Sequence, residues 1–279
     1  MIGAIIGDII GSRYEFDNKK SKKFSLFSLD CFFTDDTVMT VAIGNALIQC
    51  LGNYTSLSLY TIENMKSLGK LYPAANYGLM FHQWLFSEDT KPYESFGNGA
   101  PMRVSACGII GKNIDEVKKL SKSVTEVTHN HPEALMAAES VAVAIHLARI
   151  GKSKREIYEF INLNYYTLDF TLDQIRASYQ FTEKASKTVP VSLVAFFESV
   201  SFEDAIRNAI SVGGDSDTIA AITGSIAAEY YGVPLKIKAK AKTYLNEYLN
   251  KSIGEFETLY PSKITNQDTS INDAIFAHE

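Results

Sequence analysis

The sequence predicts an all-α protein, and three observations support this fold class. Apolar residues recur through most of the chain at the i, i+3, i+4 and i+7 spacing of one helix face. The chain contains no hairpin signal and no alternation of strands with helices. Two segments carry small residues every four positions, which indicates two central helices whose backbones approach closely. These small residues are Gly3, Gly7 and Gly11 in one segment and Ala220, Gly224 and Ala228 in the other.

The predicted helices follow in chain order from this spacing and from their start signals. Residues 35–51 are predicted to form a helix, because a strand of that length would not place their apolar residues on one face. Ser153 stands three residues before Glu156, which is the spacing of a capping box, and Ser201 before Asp204 is a weaker version of it. The predicted helices span residues 35–51, 113–127, 133–150, 153–164, 171–187, 202–211, 217–231 and 235–250.

The organisation of the chain predicts one domain. Gly151 and Gly232 stand where helices are expected to end, and Pro234 follows the second glycine. No linker rich in proline, glycine or serine divides the chain, and no internal repeat is evident. We therefore expect a domain over residues 1–261 and a loosely packed polar tail over residues 262–279.

The composition limits the classes of function. With 46% hydrophobic residues, the 279-residue chain can bury a core without disulfides. A formal charge of -5 provides no global positive field, which argues against a dedicated nucleic-acid or anionic-lipid binder. Asp8 interrupts the apolar start, and no apolar run reaches the ~18 residues of a membrane span. The cysteines Cys31, Cys50 and Cys107 are odd in number and far apart in the sequence, which indicates buried thiols in a cytoplasmic protein. The lysines within residues 19–23 are interpreted as a solvated face.

The strongest functional signal is a pair of acidic clusters at predicted helix starts. Residues 33–37 and 213–218 each combine two aspartates with threonine. N-capping is one explanation, since aspartate and threonine suit a helix start. However, a helix needs one cap, whereas each cluster supplies several oxygen groups, and the two glycines of the second let backbone approach closely. If the clusters meet, four carboxylates share one pocket, and some must protonate unless a cation holds them.

The ligand types indicate which cation this pocket would hold. Carboxylate and hydroxyl oxygens without a cysteine or histidine cluster suit Mg²⁺, Mn²⁺ or Ca²⁺ rather than zinc. Four aspartate charges would balance two divalent cations, so a site with two metal ions is expected. Two such ions can orient a polyhydroxyl substrate and lower the pKa of a bound water.

Five segments, in order, make the chain similar to the ADP-ribosylglycohydrolase family, which includes dinitrogenase-reductase-activating glycohydrolases and ADP-ribosyl-arginine and ADP-ribosyl-serine hydrolases. They are residues 3–16, 33–37, 96–103, 128–129 and 213–218. The resemblance implies a single compact domain of orthogonal helices, with two Mg²⁺ or Mn²⁺ ions in a central cleft. The residues that match the family's metal ligands are Thr34, Asp35, Asp36, Asp215, Asp217 and Thr218.

The resemblance also implies which residues contact the substrate. Residues 96–103 would line the ADP-ribose cleft. A Gly-Asn-Gly turn before a helix that starts at Pro101 would present N–H groups and a positive dipole end suited to a diphosphate, although the segment alone favours an ordinary turn before a helix. Phe96 would stack on adenine or serve as a core aromatic. His129 matches the segment that contacts the nucleotide half, whereas His131, which would cap the next helix, receives no role. The substrate-binding set is Phe96, Gly97, Asn98, Gly99, Met102, Arg103, His129, Gly213 and Gly214.

The expected reaction is metal-dependent hydrolysis of the glycosidic bond at the distal ribose of an ADP-ribosyl group. Asp35, Asp36 or Glu15 would move the proton. Glu15 matches a glutamate on the family's mobile loop near the metals, which implies gating of the site or proton transfer, whereas the sequence alone favours an exposed loop acid. The alternatives are a metal-dependent nucleotide phosphohydrolase and a catalytically silent, structural relative. The acceptor is a protein, a nucleic acid or a small molecule, and the chain is expected to be a monomer or small homo-oligomer.

Overall fold

The fold is built from helices with almost no sheet, which confirms the predicted all-α class. A computed structural model describes residues 1–265, and fourteen α-helices lie within them. The helices are α1 (Ile2–Gly11), α2 (Asp35–Gln49), α3 (Leu57–Leu71), α4 (Leu79–Phe86), α5 (Ser105–Ile110), α6 (Ile114–Thr125), α7 (Pro132–Arg149), α8 (Lys154–Asn164), α9 (Leu172–Ile175), α10 (Ala185–Phe197), α11 (Phe202–Ser211), α12 (Ser216–Tyr231), α13 (Leu235–Lys242) and α14 (Glu247–Leu259).

Helices α1 and α12 form the centre of the molecule, as the small-residue pattern predicts. Every residue of α1 is buried, and so is α12 from Ser216 to Glu229. The two backbones touch along the stripe: a Cβ placed on Gly7 would overlap the backbone of Ala220, and one on Gly224 would overlap the carbonyl oxygen of Gly3. Glycine is therefore required at these contacts to let the two helices approach.

Six of the predicted helices are present with ends that agree within about two residues. Helix α8 begins with the predicted capping box, in which Ser153 and Glu156 bond to each other's backbone N–H. Gly151 and Gly232 follow α7 and α12 at φ values of +83° and +82°, a backbone conformation that favours glycine. The helix start at Ser153 and the helix stops at Gly151 and Gly232 therefore confirm the predictions from the sequence.

The prediction of one helix over residues 171–187 is wrong. In the structure α9 ends at Ile175, and the chain stays irregular until α10 begins at Ala185. The reason is tertiary: the Asn98 N–H donates to the Glu183 carbonyl (2.7 Å) and the Ala185 N–H to the Phe96 carbonyl (3.1 Å), which holds this segment extended. Helix α10 then continues through Pro190, past the end predicted for it.

The single helix predicted over residues 235–250 is also wrong, because it is two helices. Helix α13 ends at Lys242, and Asn246 caps α14 by accepting the Leu249 N–H at 3.0 Å. Asn250 Nδ2 donates to the Lys242 and Leu245 carbonyls, both at 3.1 Å, and so satisfies the end of α13. The two asparagines stabilise a break that apolar spacing alone does not reveal.

The end of the described chain packs against the helices. Strand β1 (Val233–Pro234) pairs in parallel with β2 (Ile264–Thr265). Lys263 Nζ donates to the carbonyls of Glu229 and Ala148, which close α12 and α7. The predicted loosely packed tail therefore begins with four residues that are bonded to the domain, and its remainder, residues 266–279, lies outside the described residues.

Two expectations about the whole chain can be compared with residues 1–265. None of the helices in this part combines the length and apolarity that crossing a bilayer requires. Cys31, Cys50 and Cys107 are all buried, and each is a free thiol.

Candidate active site

The two acidic clusters, separated by most of the sequence, meet where α2 and α12 begin. Thr218 Oγ1 donates a hydrogen bond of 3.0 Å to Asp36 Oδ2, a contact between residues 182 positions apart. Asp36, Asp215 and Asp217 are buried there. The helix starts therefore bring both clusters into one pocket.

Three carboxylates of this pocket stand in a group that suits a metal ion. One oxygen each from Glu15, Asp215 and Asp217 lies within 4.8 Å of the others. Asp36 adjoins this group through Thr218. Glu15, for which proton transfer or gating is predicted, thus stands among the predicted metal ligands themselves.

N-capping explains only part of the two clusters. Thr34 caps α2, since its Oγ1 accepts the Asp36 N–H at 3.3 Å. Asp215, at the N-cap position of α12, makes no side-chain cap hydrogen bond. The capping explanation is therefore right for Thr34 and does not account for the carboxylate of Asp215.

Asp8 is a site residue that the sequence analysis missed. It is fully buried in α1 and accepts four hydrogen bonds. They come from the backbone N–H of Thr34 (3.0 Å) and Thr37 (3.1 Å) and from both hydroxyls, with the Thr34 contact at 2.8 Å. Its sequence signal was a single carboxylate inside an otherwise apolar helix.

Burial and mutual repulsion raise the pKa values of the clustered acids. Desolvation raises the pKa of Asp35, Asp36 and Asp217 well above the ordinary value, and the charges of neighbouring carboxylates add to it. Desolvation, followed by the charge of Asp215, raises the pKa of Glu15 to about 7. Without a cation, these acids would therefore keep their protons to a higher pH than ordinary carboxyl groups do.

The donor set fits a divalent cation. Asp36 Oδ1 and Glu15 Oε2 are buried, and neither has a hydrogen-bond partner. A buried carboxylate oxygen without a partner is costly, and a hard cation is the ligand that such oxygens prefer. The Thr34 hydroxyl gives its hydrogen to Asp8, so that Oγ1 can offer a cation only a lone pair.

A cavity of about 230 Å³ extends from these carboxylates to a second group of predicted site residues. Asn98 connects the two ends, since its Nδ2 donates to Asp215 Oδ2 at 2.7 Å and to Thr188 Oγ1 at 3.2 Å. The predicted residues that line this cavity are Glu15, Asp35, Asp36, Gly97, Asn98, Gly99, Met102, Arg103, His129, Asp215, Asp217 and Thr218.

Residues 96–103 differ from the expected helix start. Pro101 opens only a three-residue 3₁₀-helix, and the N–H groups of Gly97, Asn98 and Ala100 already donate to protein oxygens. The argument for a diphosphate at a helix N-terminus therefore fails for this segment. Phe96 is 45% exposed and lies edge-on to His131, so the core-aromatic explanation for it is wrong.

The Gly213–Gly214 pair has a conformational explanation. Both glycines have positive φ (+70° and +74°), and a Cβ on Gly214 would meet the Tyr179 ring at 2.5 Å. Asn18 exchanges hydrogen bonds with both backbone groups of Gly214, at 2.7 and 2.9 Å. Protein atoms cover this turn, which holds Asp215 in place, whereas the sequence analysis assigned the glycines to substrate binding.

The lysines in residues 19–23 are largely exposed, as predicted, but Lys20 also bonds to the protein. Its Nζ donates to the carbonyls of Tyr179 (2.7 Å) and Val212, next to the Gly213–Gly214 turn. Asn18, two residues earlier, also donates to the Glu15 carbonyl at 2.9 Å. The loop that carries Glu15 is thereby bonded to the turn that carries Asp215.

The two histidines of residues 129–131 have different environments. His129 is buried and lines the cavity, and burial lowers its pKa well below the ordinary value. His131 caps α7, since its Nδ1 accepts the Glu133 N–H at 3.2 Å. The cavity also contains Tyr93, Phe181 and Glu183, which lie in irregular segments and gave no periodic signal in the sequence.

Comparison with known proteins agrees with this arrangement. A model of the ADP-ribosylglycohydrolase family matches residues 1–260. ADP-ribosylhydrolase ARH3 of Mus musculus is 23% identical, over 84% of this chain and 83% of its own. ADP-ribosylarginine hydrolase Tri1 of Pseudomonas putida strain GB-1 is 31% identical, over 49% of this chain and 39% of its own. A solved structure described as an ADP-ribosylglycohydrolase-related protein complex has a TM-score of 0.67 and 20% identity, and the match covers 93% of this chain and 96% of that one.

The family match extends from α1 to the end of α14 and includes every residue of the acidic pocket. The likeness in fold covers nearly the same range. The chain therefore belongs to the ADP-ribosylglycohydrolase family and is a glycohydrolase that acts on ADP-ribosyl groups.

Proposed function

We propose that the chain uses divalent cations to hydrolyse the glycosidic bond at the distal ribose of an ADP-ribosyl group. The observation that supports this most is the pocket in which both acidic clusters meet and two buried carboxylate oxygens lack partners. The cavity leads from this pocket to His129 and Arg103. The distal ribose would lie at the carboxylate end of the cavity, and the nucleotide half would lie at the end that contains His129 and Arg103.

The metal ligands proposed here are the carboxylates of Asp35, Asp36, Asp215 and Asp217 with the hydroxyls of Thr34 and Thr218, and Glu15 lies close enough to join them. Two Mg²⁺ or Mn²⁺ ions would balance the charge of the four aspartates. When bound, such ions orient ribose hydroxyls and lower the pKa of a water.

The side chains of the pocket would carry out the remaining steps. Water oxygen bonds to the anomeric carbon of the distal ribose, and the bond from that carbon to the acceptor breaks. A carboxylate, from Asp35, Asp36 or Glu15, takes a proton from the water and returns it to the departing acceptor. Asn98 bonds to both Asp215 and Thr188, which fixes the wall between the ribose and nucleotide ends.

Replacement of Asp217 tests this proposal. Asp217→Ala should lower ADP-ribose release at least ~100-fold, because the proposed metal site loses one of its carboxylates. Product analysis by chromatography gives the readout, and Asp169→Asn, which changes an exposed aspartate, is the control. Unchanged release in Asp217→Ala would refute the proposal. AMP and ribose phosphate as products of the wild-type chain would instead show a phosphohydrolase.

The proposal also covers the kind of substrate and the part of the chain that acts on it. The substrate is an ADP-ribosylated molecule, and we take residues 1–261 as the functional domain. A panel of ADP-ribose conjugates linked through arginine, serine, a nucleobase or an O-acyl group identifies the acceptor. Release in the presence of Mg²⁺ and its loss with a chelator show for each linkage whether hydrolysis depends on metal.

A further inference from the structure

Within residues 1–265, the buried Arg103 has no carboxylate partner. Arg103 is fully buried, and its Nη2 donates to the Val124 carbonyl (3.2 Å) and to Thr128 Oγ1 (2.8 Å). Its Nε and Nη1 have no hydrogen-bond partner, and no carboxylate of residues 1–265 accepts from it. A buried cation without a carboxylate requires an explanation, because its desolvation is costly.

Thr128 passes the effect of Arg103 to His129. A guanidinium only donates, so the Thr128 oxygen must be the acceptor of the Arg103 bond. The Thr128 hydroxyl hydrogen is then free for His129 Nδ1, which lies 2.8 Å from Oγ1. Within residues 1–265, Nδ1 is the one acceptor within reach of this hydrogen, because Thr128 Oγ1 makes no hydrogen bond besides those with Arg103 and His129. A satisfied Thr128 hydroxyl therefore donates to Nδ1, and the hydrogen of a neutral imidazole is then on Nε2.

Two glycines leave space beside Nε2. A Cβ built on Gly99 would lie 3.3 Å from His129 Nε2, and one built on Gly97 would lie 3.6 Å from it. Both glycines line the cavity together with His129 and Arg103. A Cβ at position 99 would press on the ring edge that carries Nε2, and one at position 97 would cover it at ordinary contact distance. The two glycines thereby keep this edge open to the cavity.

We propose that Arg103 and Thr128 are positioning residues that fix His129 as the neutral tautomer with its hydrogen on Nε2, directed at an acceptor atom of the nucleotide half. The contact with substrate rests on the proposed function, whereas the tautomer does not. Arg103 and Thr128 act through His129 and do not themselves contact the reacting atoms. Because the hydrogen-bonded chain from Arg103 through Thr128 to His129 carries a positive charge, it favours a negatively charged acceptor atom over a neutral one.

The test uses the imidazole ¹⁵N signals of His129 in the full-length wild-type chain without substrate. The expected spectrum has a protonated Nε2 and an unprotonated Nδ1 at neutral pH, and His129→Asn identifies the signals by their loss. Thr128→Val keeps the volume and removes the hydroxyl that donates to Nδ1, so it should raise the fraction of the tautomer with hydrogen on Nδ1. Thr128→Ser should restore the wild-type spectrum.

Binding provides a second readout. Thr128→Val should weaken ADP-ribose binding by roughly tenfold in calorimetry and raise KM more than it lowers kcat, while Thr128→Ser restores both. Hydrogen on Nδ1 in the wild-type spectrum, or an unchanged tautomer in Thr128→Val, would overturn the inference. If Thr128→Val does not fold, the tautomer of His129 in the wild-type spectrum and in that of Arg103→Lys decides whether the inference holds. Failure of the wild-type chain to release ADP-ribose would refute the proposed function alone.

Discussion

At the scale of single residues, Asp8 determines how Thr34 faces the acidic pocket. Its two oxygens accept four hydrogen bonds, three of them on Oδ2. The fourth comes from the Thr34 hydroxyl and turns that hydrogen away from the pocket. Burial raises the pKa of Asp8 to about 6, although all four hydrogen bonds oppose the rise. A residue that contacts none of the proposed cations thus controls the character of one proposed ligand.

Asp8→Asn should therefore weaken metal binding. The amide nitrogen of asparagine would donate to Thr34 Oγ1, and the threonine hydrogen would turn toward the pocket and its cations. We expect Mg²⁺ affinity to fall about 10-fold or more, as for other changes to residues that orient metal ligands. Calorimetric titration with Mg²⁺ measures it, with Asp169→Asn as the control, and an unchanged Kd in Asp8→Asn would contradict this role for Asp8.

At the scale of elements, the contact between α1 and α12 sets the position of the site. The stripe that brings these helices together ends at Gly11, where a Cβ would lie 2.6 Å from the Cα of Asp217. The acidic residues of α12 are therefore held against the end of α1. Packing at the glycine stripe and geometry at the site are consequences of the same contact.

Gly7→Ala should destabilise the fold, because the new Cβ would overlap the backbone of Ala220. We expect the free energy of unfolding to fall by about 3 kcal/mol, the upper part of the range for overpacked cores. Gly254→Ala is the matched control: its Cβ meets no atom within 4 Å in α14, and alanine favours the helix by up to ~1 kcal/mol. Urea unfolding measures both variants, and equal stabilities for them would refute close packing at the stripe.

The elements also show how far the sequence predicts the fold. Helices with clear apolar spacing and local caps, such as α8 and α11, were predicted with their ends. The errors at residues 171–187 and 235–250 have another origin. In the first, a bridge between Gly97 and Lys184 draws the chain out of a helix. In the second, Asn246 and Asn250 close one helix and open the next. Contacts between distant residues and short polar caps do not appear in apolar periodicity.

At the scale of the whole molecule, the sequence predicts some residues of the site, whereas others are identified only by contacts between distant segments. The order of the two acidic clusters predicted a shared pocket, because each cluster opens a helix and supplies more oxygens than a cap requires. The remaining contributors lie in irregular segments or act through hydrogen bonds, as Asn18 and Lys20 do. Their partners are far away in sequence, so spacing along the chain carries no information about them. Family resemblance identified His129, but only the structure connects it with Thr128 and Arg103.

The central claim is that the two acidic clusters jointly bind divalent cations, and Mn²⁺ binding measured by equilibrium dialysis tests it most directly. The wild-type chain should bind about two Mn²⁺ ions, because four clustered aspartates balance two divalent charges. Asp36→Asn and Asp217→Asn, one in each cluster, should each lose at least one ion, whereas Asp169→Asn should lose none. The same number of ions bound with the same affinity in all four proteins, or no binding by the wild-type chain, would contradict the account.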